Sequence, residues 1–405
     1  MRKAGMRNSG VGRAWLNPFA QQPGWHKLDQ AGAFLRPALP LDDGAGAPLL
    51  ESRSFGTNPG ALRMFAHLPP HLPAASPLVV VLHGCTQTAA GYDRGAGWST
   101  LADRFGFALL FPEQQRSNNP NNCFNWFQAG DIERGHGEAL SIRQMIDEMV
   151  SHHGIDPRRV FITGLSAGGA MTSVMLATYP DVFAGGAIIA GLPYGAATNV
   201  QQAFASMSQC PPRSARAWGD LVRGTSAHAG PWPRVSVWHG GADTTVVPSN
   251  AAEIVKQWAD VHGLPLAPSS TETVDRYPRQ VWRDADGRDV IESYTIPAMA
   301  HGTPLAVGED CDECGTAGAF LLDVGISSSY HIAKFWGLVD HRIAPALDES
   351  KLVPAPFDLD LPRPEAPAQQ HVSSAAADSA ASTLRFDIGA VITNALKAAG
   401  LMKSP

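Results

Sequence analysis

Charge is scarce in this chain. Only 17% of its 405 residues are Asp, Glu, Lys or Arg, against roughly 25% in an average soluble protein. There is no basic excess either, since 31 Lys and Arg face 37 Asp and Glu for a net charge of −6. A nucleic-acid binder normally carries a basic face, so that class is excluded. No apolar run approaches the roughly 18 residues of a membrane-crossing helix, and no membrane span is expected. Five cysteines are too few for a disulfide-dense scaffold and leave at least one thiol unpaired. Met1 to Trp15 carries basic residues with no apolar stretch behind them, so it is not expected to act as a secretory signal. Low charge does not imply disorder here, because 44% of residues are hydrophobic and a chain of this length can bury a large core without staples.

What is present is organised in blocks. Length alone suggests two or three domains at about 150 residues each, but the pattern along the chain favours one. Residues 1–55 form an irregular lead-in without a sustained period. From 56 to 345 short apolar runs alternate with helical stretches, the mark of βα units around a buried, mostly parallel sheet. Strands are expected at Leu78–Leu82 (LVVVL), Phe107–Phe111 (FALLF), Arg159–Thr163 (RVFIT), Gly186–Ala190 and Arg234–Trp238 (RVSVW). Helices are expected at Gly137–His153, Ala167–Tyr179, Asn250–Val261 and Ser329–Val339. Thr271–Trp282 and Asp289–Ile296 form a hairpin around Asp286-Gly287. Residues 346–385 are a Pro-, Ala- and Ser-rich linker. Residues 386–405 carry Ile388, Val391, Ile392, Ala395, Leu396 and Ala399 at helical spacing, an amphipathic helix that either docks back on the parent domain or binds a partner or a polymer surface.

The chemistry concentrates at Gly164-Leu165-Ser166-Ala167-Gly168. Gly-x-Ser-x-Gly is common by chance, but here a strand precedes it and a helix follows, the context a nucleophile elbow requires. Small residues two places before and after the serine keep the tight turn free of clashes. The helix behind it directs unpaired N–H groups toward developing negative charge. A serine hydroxyl is a poor nucleophile at neutral pH and needs a base and an orienting acid. After the strand RVSVW comes His239-Gly240-Gly241-Ala242-Asp243, which makes Asp243 the acid. Among the downstream histidines, His301 alone follows a strand and sits in a loop, which makes it the base; His262 ends a helix, His331 lies within one and His371 lies in the linker. Two backbone N–H groups are needed for the oxyanion. Ala167, after the nucleophile, supplies one, and Cys85, in the loop His83-Gly84-Cys85-Thr86 behind LVVVL, supplies the other. His83 reads as a structural histidine below the site.

Taken together, His83-Gly84-Cys85-Thr86-Gln87, Asn122-Cys123-Phe124-Asn125-Trp126-Phe127, Gly164 to Met171 and His239 to Val246 resemble the polyhydroxybutyrate (PHB) depolymerase esterase family, whose relatives include feruloyl and acetylxylan esterases. The resemblance spans roughly residues 60–340 and holds across several separated motifs in order. It implies an α/β-hydrolase fold: a mostly parallel, doubly wound sheet with helices on both faces. It implies a Ser166–Asp243–His301 triad, carboxylic-ester hydrolysis without metal or organic cofactor, and a disulfide between Cys85 and Cys123. Family members are usually secreted, so the resemblance implies an extracellular location, with the cytoplasm as the alternative because no secretory signal is expected at Met1 to Trp15. His301 is followed by Gly302-Thr303-Pro304, where many members have Ala-Trp.

Around this site, Trp126 and Phe127 lie in the long loop Gln114–His136, where they either line a substrate groove or plug the loop into the core. Cys311-x-x-Cys314 has no second pair for zinc and forms a local bridge or free thiols. Asp284, Asp286 and Asp289 lack the 12-residue calcium pattern and form a hairpin turn. The substrate is expected to be a short-chain hydroxyalkanoate polyester or oligomer, with a feruloyl or acetylxylan ester as the alternative. A non-catalytic granule-binding protein is the rival from another class. The sequence leaves oligomeric state undetermined.

Overall fold

The structure, a computed structural model, describes residues 49–340 apart from Pro211. The expected linker and C-terminal amphipathic helix lie outside the described residues, as does most of the N-terminal lead-in. The lead-in is shorter than expected, because the sheet begins within it at β1 (Leu50–Ser52), paired antiparallel with β2 (Arg63–His67). Neither was legible in the sequence. Leu50 is exposed at 59%, so β1 shows no alternation that would mark it.

The core of the sheet is β3 (Ser76–Leu82), β4 (Ala108–Glu113), β5 (Ile155–Leu165), β6 (Gly185–Ile189), β7 (Arg234–Gly240) and β10 (Asp289–Ile296), all parallel to one another. At the far edge β10 pairs antiparallel with β9 (Tyr277–Arg283), and β9 with β8 (Ser270–Val274). The single strand expected at 271–282 is therefore two. Asp275 and Arg276 both take positive φ, 45° and 69°, and fold the segment back on itself. The strand order is β1-β2-β4-β3-β5-β6-β7-β10-β9-β8.

The apolar runs become strands because both faces are covered. In β3, Leu78, Val80 and Leu82 join one hydrophobic cluster while Val79 and Val81 join the other. A strand alternates sides every residue, so a continuous apolar run fits only where helices cover both faces. One face is covered by α4 (Gly137–His152), α5 (Ala167–Thr178) and α8 (Ser249–Val261), the other by α1 (Ala89–Ala96), α2 (Trp98–Phe105) and α9 (Ser328–Phe335). Every residue of α5 is buried, which explains its small and apolar sequence.

The order β4-β3-β5 matters most for function. The chain leaves β3 toward β4 on one side and later passes through β5 toward β6 on the other. Such a reversal opens a crevice at the carboxyl ends of the two strands, where open α/β sheets bind ligands. The loop after β3 and the turn after β5 carry His83-Gly84-Cys85 and Ser166.

Candidate active site

Ser166 lies between β5 and α5, as the cap of α5, with φ 58° and ψ −116°. A non-glycine residue held at positive φ costs on the order of 1–3 kcal/mol and persists only where its surroundings impose it. They do so through glycine. A Cβ on Gly168 would lie 2.4 Å from the Leu82 carbonyl oxygen and 2.6 Å from that of His83, and one on Gly164 would lie 2.5 Å from the Gly168 carbonyl. The turn is thus pressed onto the end of β3. The Ser166 N–H donates to the Ile189 carbonyl at 2.9 Å, while its half-buried hydroxyl makes no capping bond and no other hydrogen bond among the described residues. The N–H of Ala167 is in the first turn of α5 and has no carbonyl of that helix to pair with.

Behind β3, the N–H groups flanking Cys85 are occupied. Gly84 N–H donates to Gln87 Oε1 at 2.8 Å, Thr86 N–H to the Asn121 carbonyl at 2.7 Å and Gln87 N–H to the Gly84 carbonyl at 3.3 Å. The Cys85 amide has no such acceptor among the described residues. Its sulfur is bonded to Cys123, with Cα atoms 4.3 Å apart, so the loop after β3 is stapled to the Asn-rich loop after β4. Closing a 38-residue loop is worth roughly 4 kcal/mol in the chain-entropy picture. Cys311 is half-buried and Cys314 buried, both as free thiols, and Cys210 is a buried free thiol.

Asp243 and His301 meet across two loops. His301 Nδ1 donates to Asp243 Oδ2 at 2.7 Å, while Asp243 Oδ1 accepts the N–H groups of Thr245 at 2.8 Å and Val246 at 2.9 Å. The loops are laced by Gly241 N–H to the Ile296 carbonyl at 2.8 Å and Ala242 N–H to the Met299 carbonyl at 3.0 Å. Gly240 permits this, since a Cβ there would lie 2.3 Å from the Met299 carbonyl. Burial opposes ionisation of Asp243, but hydrogen bonds from His239 and His301 outweigh it and hold the carboxyl well below the usual range. Both side chains are buried, His301 at 8% exposure.

Sequence reasoning missed three contributors. Phe320 stands edge-on to His301, ring centroids 6.0 Å apart, with φ 63°; it lies 19 positions downstream in no motif. Glu138, at the start of α4, accepts from Gln114 Nε2 at 2.6 Å and from Asn125 N–H and Nδ2 at 2.9 and 2.8 Å, and so fixes the loop that carries Cys123. Its carboxyl is pushed up to about 8 by burial and by Asp131, against those donors. His239 lies against Asp243 and is treated below. Trp126 is buried in the core with its ring edge-on to Phe127 at 5.3 Å, so the half-buried Phe127 is the one that offers surface. A cavity of about 940 Å³ lies at the opposite, amino-terminal edge of the sheet, lined by Pro157, Val182, Trp232 and Val290 among others, and includes none of Ser166, Asp243 and His301. No three His, Cys, Asp or Glu side chains among the described residues cluster as metal ligands would. No described helix is long and apolar enough to cross a membrane.

His83 sits beneath the site. Its Nδ1–H donates to the Gly84 carbonyl at 2.8 Å and its Nε2 accepts the Gln114 N–H at 3.1 Å. Burial drives it down to about 4, and His262 and His331 are lowered by burial as well. Below pH 6.5 the unfolded chain takes up a proton at His83 that the folded chain refuses until about pH 4. Stability is therefore full above pH 6.5 and falls across that window, by about 3 kcal/mol for His83 alone. Thermal unfolding followed from pH 8 to 4 is expected to show that decline, with a shallower slope in His83→Asn. A flat profile would contradict the buried neutral imidazole.

A chain with these features has clear relatives. The sequence model described as "Esterase PHB depolymerase" matches residues 63–274. Poly(3-hydroxyalkanoate) depolymerase C of Paucimonas lemoignei is 52% identical over 292 residues, covering 72% of this chain and 70% of that protein. An acetylxylan esterase of Coprinopsis cinerea is 34% identical over 269 residues, covering 63% and 69%. Among solved structures, the acetyl xylan esterase of Aspergillus awamori superposes with a TM-score of 0.61 at 26% identity, covering 72% of this chain and 99% of that one. The fold is the α/β-hydrolase fold that the motifs implied, and the chain is a carboxylic-ester hydrolase. With the family model spanning more than half of its length, it belongs to the PHB depolymerase esterase family.

Proposed function

We propose that this chain hydrolyses short-chain polyhydroxyalkanoate esters, as polymer or oligomer, through an acyl-enzyme on Ser166. The observation that carries the substrate class is the 52% identity to a poly(3-hydroxyalkanoate) depolymerase, against 34% to an acetylxylan esterase. The elbow conformation of Ser166 and the Asp243–His301 hydrogen bond support the chemistry. His301 Nε2 takes the Ser166 proton as Oγ attacks the ester carbonyl. Asp243, bonded to Nδ1, keeps the imidazole in the tautomer that leaves Nε2 free to act as base and stabilises the cation that forms. The Cys85 and Ala167 N–H groups receive the oxyanion, and the disulfide and the turn of Gly164 to Gly168 hold those donors in place before substrate arrives. As the tetrahedral intermediate collapses, His301 returns the proton to the departing alcohol oxygen. Water then enters by the same route, with His301 again as base, and releases the acid and free Ser166. Phe320 supplies apolar surface beside His301, which suits a neutral aliphatic ester.

Feruloyl or acetylated carbohydrate esters are the second reading, favoured by the acetylxylan esterase neighbours in sequence and structure. One comparison separates the two. Purified protein is offered polyhydroxybutyrate film, a hydroxybutyrate dimer ester, methyl ferulate and acetylated xylan. Release of 3-hydroxybutyrate with kcat/KM at least tenfold above that for the other esters is expected. Faster release of ferulate or acetate would transfer the chain to the carbohydrate side.

A further inference from the structure

His239 is the penultimate residue of β7 and is 2% exposed. Its Nε2 lies 2.8 Å from the Val246 carbonyl oxygen and 3.4 Å from Asp243 Oδ2, the same oxygen that accepts from His301 Nδ1. A carbonyl can only accept, so Nε2 carries the hydrogen, and Nδ1 is left as a bare lone pair. That Nδ1 is buried without a partner among the described residues. A buried unsatisfied nitrogen costs about 1–3 kcal/mol, a cost that an apolar side chain of similar size would avoid. The imidazole is therefore held for what its Nε2–H does.

We propose that His239 is a positioning residue for the acid of the triad. Its Nε2–H forks to the Val246 carbonyl, which closes the turn from 243 to 246, and to Asp243 Oδ2. The carboxylate is then held from four directions: Thr245 and Val246 N–H on Oδ1, His301 Nδ1–H and His239 Nε2–H on Oδ2. Rotation of the carboxylate about its Cβ–Cγ bond would break all four, so Oδ2 stays aimed at His301 Nδ1 and fixes the orientation of that ring. His239 touches no substrate and moves no proton. The inference rests on the reading of Asp243 as the triad acid.

The test compares His239→Leu with His239→Gln, whose side-chain amide can place an N–H where imidazole Nε2 stood. In the Leu variant kcat on p-nitrophenyl butyrate is expected to fall roughly ten- to hundredfold, as for a small misplacement of reacting groups, with KM within twofold. The Gln variant is expected to keep at least ten times the kcat of the Leu variant. A Leu variant within threefold of wild type overturns the proposal, as do Leu and Gln variants equally impaired, since only packing would then matter. Should neither variant fold, ¹⁵N NMR of the wild-type protein decides. A His239 protonated at Nε2 and bare at Nδ1 supports the proposal, and the opposite tautomer ends it. Ser166→Ala, run alongside, separates the two levels. If that variant stays active, the acyl-enzyme reading itself fails. If it is inactive while His239→Leu turns over normally, only the role of His239 is lost.

Discussion

Ser166→Ala is expected to lower the hydrolysis of p-nitrophenyl butyrate by about 10⁶ in kcat, as loss of the nucleophile does in other serine hydrolases. The oxyanion donors remain in such a variant, so a residual rate some 10³-fold above that in water is expected rather than zero. Alanine at φ 58° is no less strained than serine, and the hydroxyl makes no hydrogen bond among the described residues whose loss would be felt. The melting temperature should therefore shift by no more than about 2 °C, since a surface-accessible group without partners is usually worth under 0.5 kcal/mol. The pairing of a near-total loss of turnover with an unchanged fold is the informative result. Turnover above 1% of wild type would remove Ser166 from the mechanism.

Asp243→Asn comes next, at about 10⁴ in kcat. The reason is specific to this site. Asp243 Oδ1 accepts two backbone N–H groups, from Thr245 and Val246. The asparagine oxygen must take that position, because an amide NH₂ there would face two donors. Its Nδ2 then replaces Oδ2 and points at His301 Nδ1. Two donors cannot bond, so the imidazole accepts at Nδ1 and carries its hydrogen on Nε2, where it cannot take the Ser166 proton. His239 Nε2–H meets the same NH₂ and loses one branch of its fork. Stopped-flow kinetics should show slow acylation with little change in KM. A variant within tenfold of wild type would show that another carboxylate orients the base. Asp243 also carries stability: its carboxyl titrates lower folded than unfolded, so its contribution is present above about pH 4 and fades as the solution is made more acid.

The elements that follow from short-range pattern were readable from the residues alone. LVVVL is apolar at every position, which only a strand covered on both faces tolerates, and β3 is such a strand. Gly164, Ser166 and Gly168 mark the turn within five residues, although the clashes that Gly168 avoids are with the end of β3. The turn after RVSVW pointed to Asp243, but only the structure shows that Gly240 and Gly241 let the 297–300 segment approach it closely. The Cys85–Cys123 bridge followed from likeness to a family rather than from spacing. Elsewhere the local signal was weak or misleading. Met64 and Ala66 of β2 turn inward, but five residues with Arg and His at the ends do not stand out as a strand. In the segment from 271 to 282, Asp275 and Arg276 take positive φ without a glycine to announce it.

What the sequence by itself determined is the set of βα units, the elbow and the identity of the three triad candidates, because each is encoded by neighbours a few positions apart. What only the tertiary structure decided is how those units meet. The change of winding at β3 brings the loop that carries Cys85 against the turn that carries Ser166, and the seam between the loops after β7 and β10 brings His301 to Asp243. Phe320 at the face of His301, Glu138 under the Asn-rich loop and the forked hydrogen bond of His239 depend on strand order and side-chain packing. No periodicity carries that information, because such contacts join residues chosen by the fold and not by their spacing along the chain.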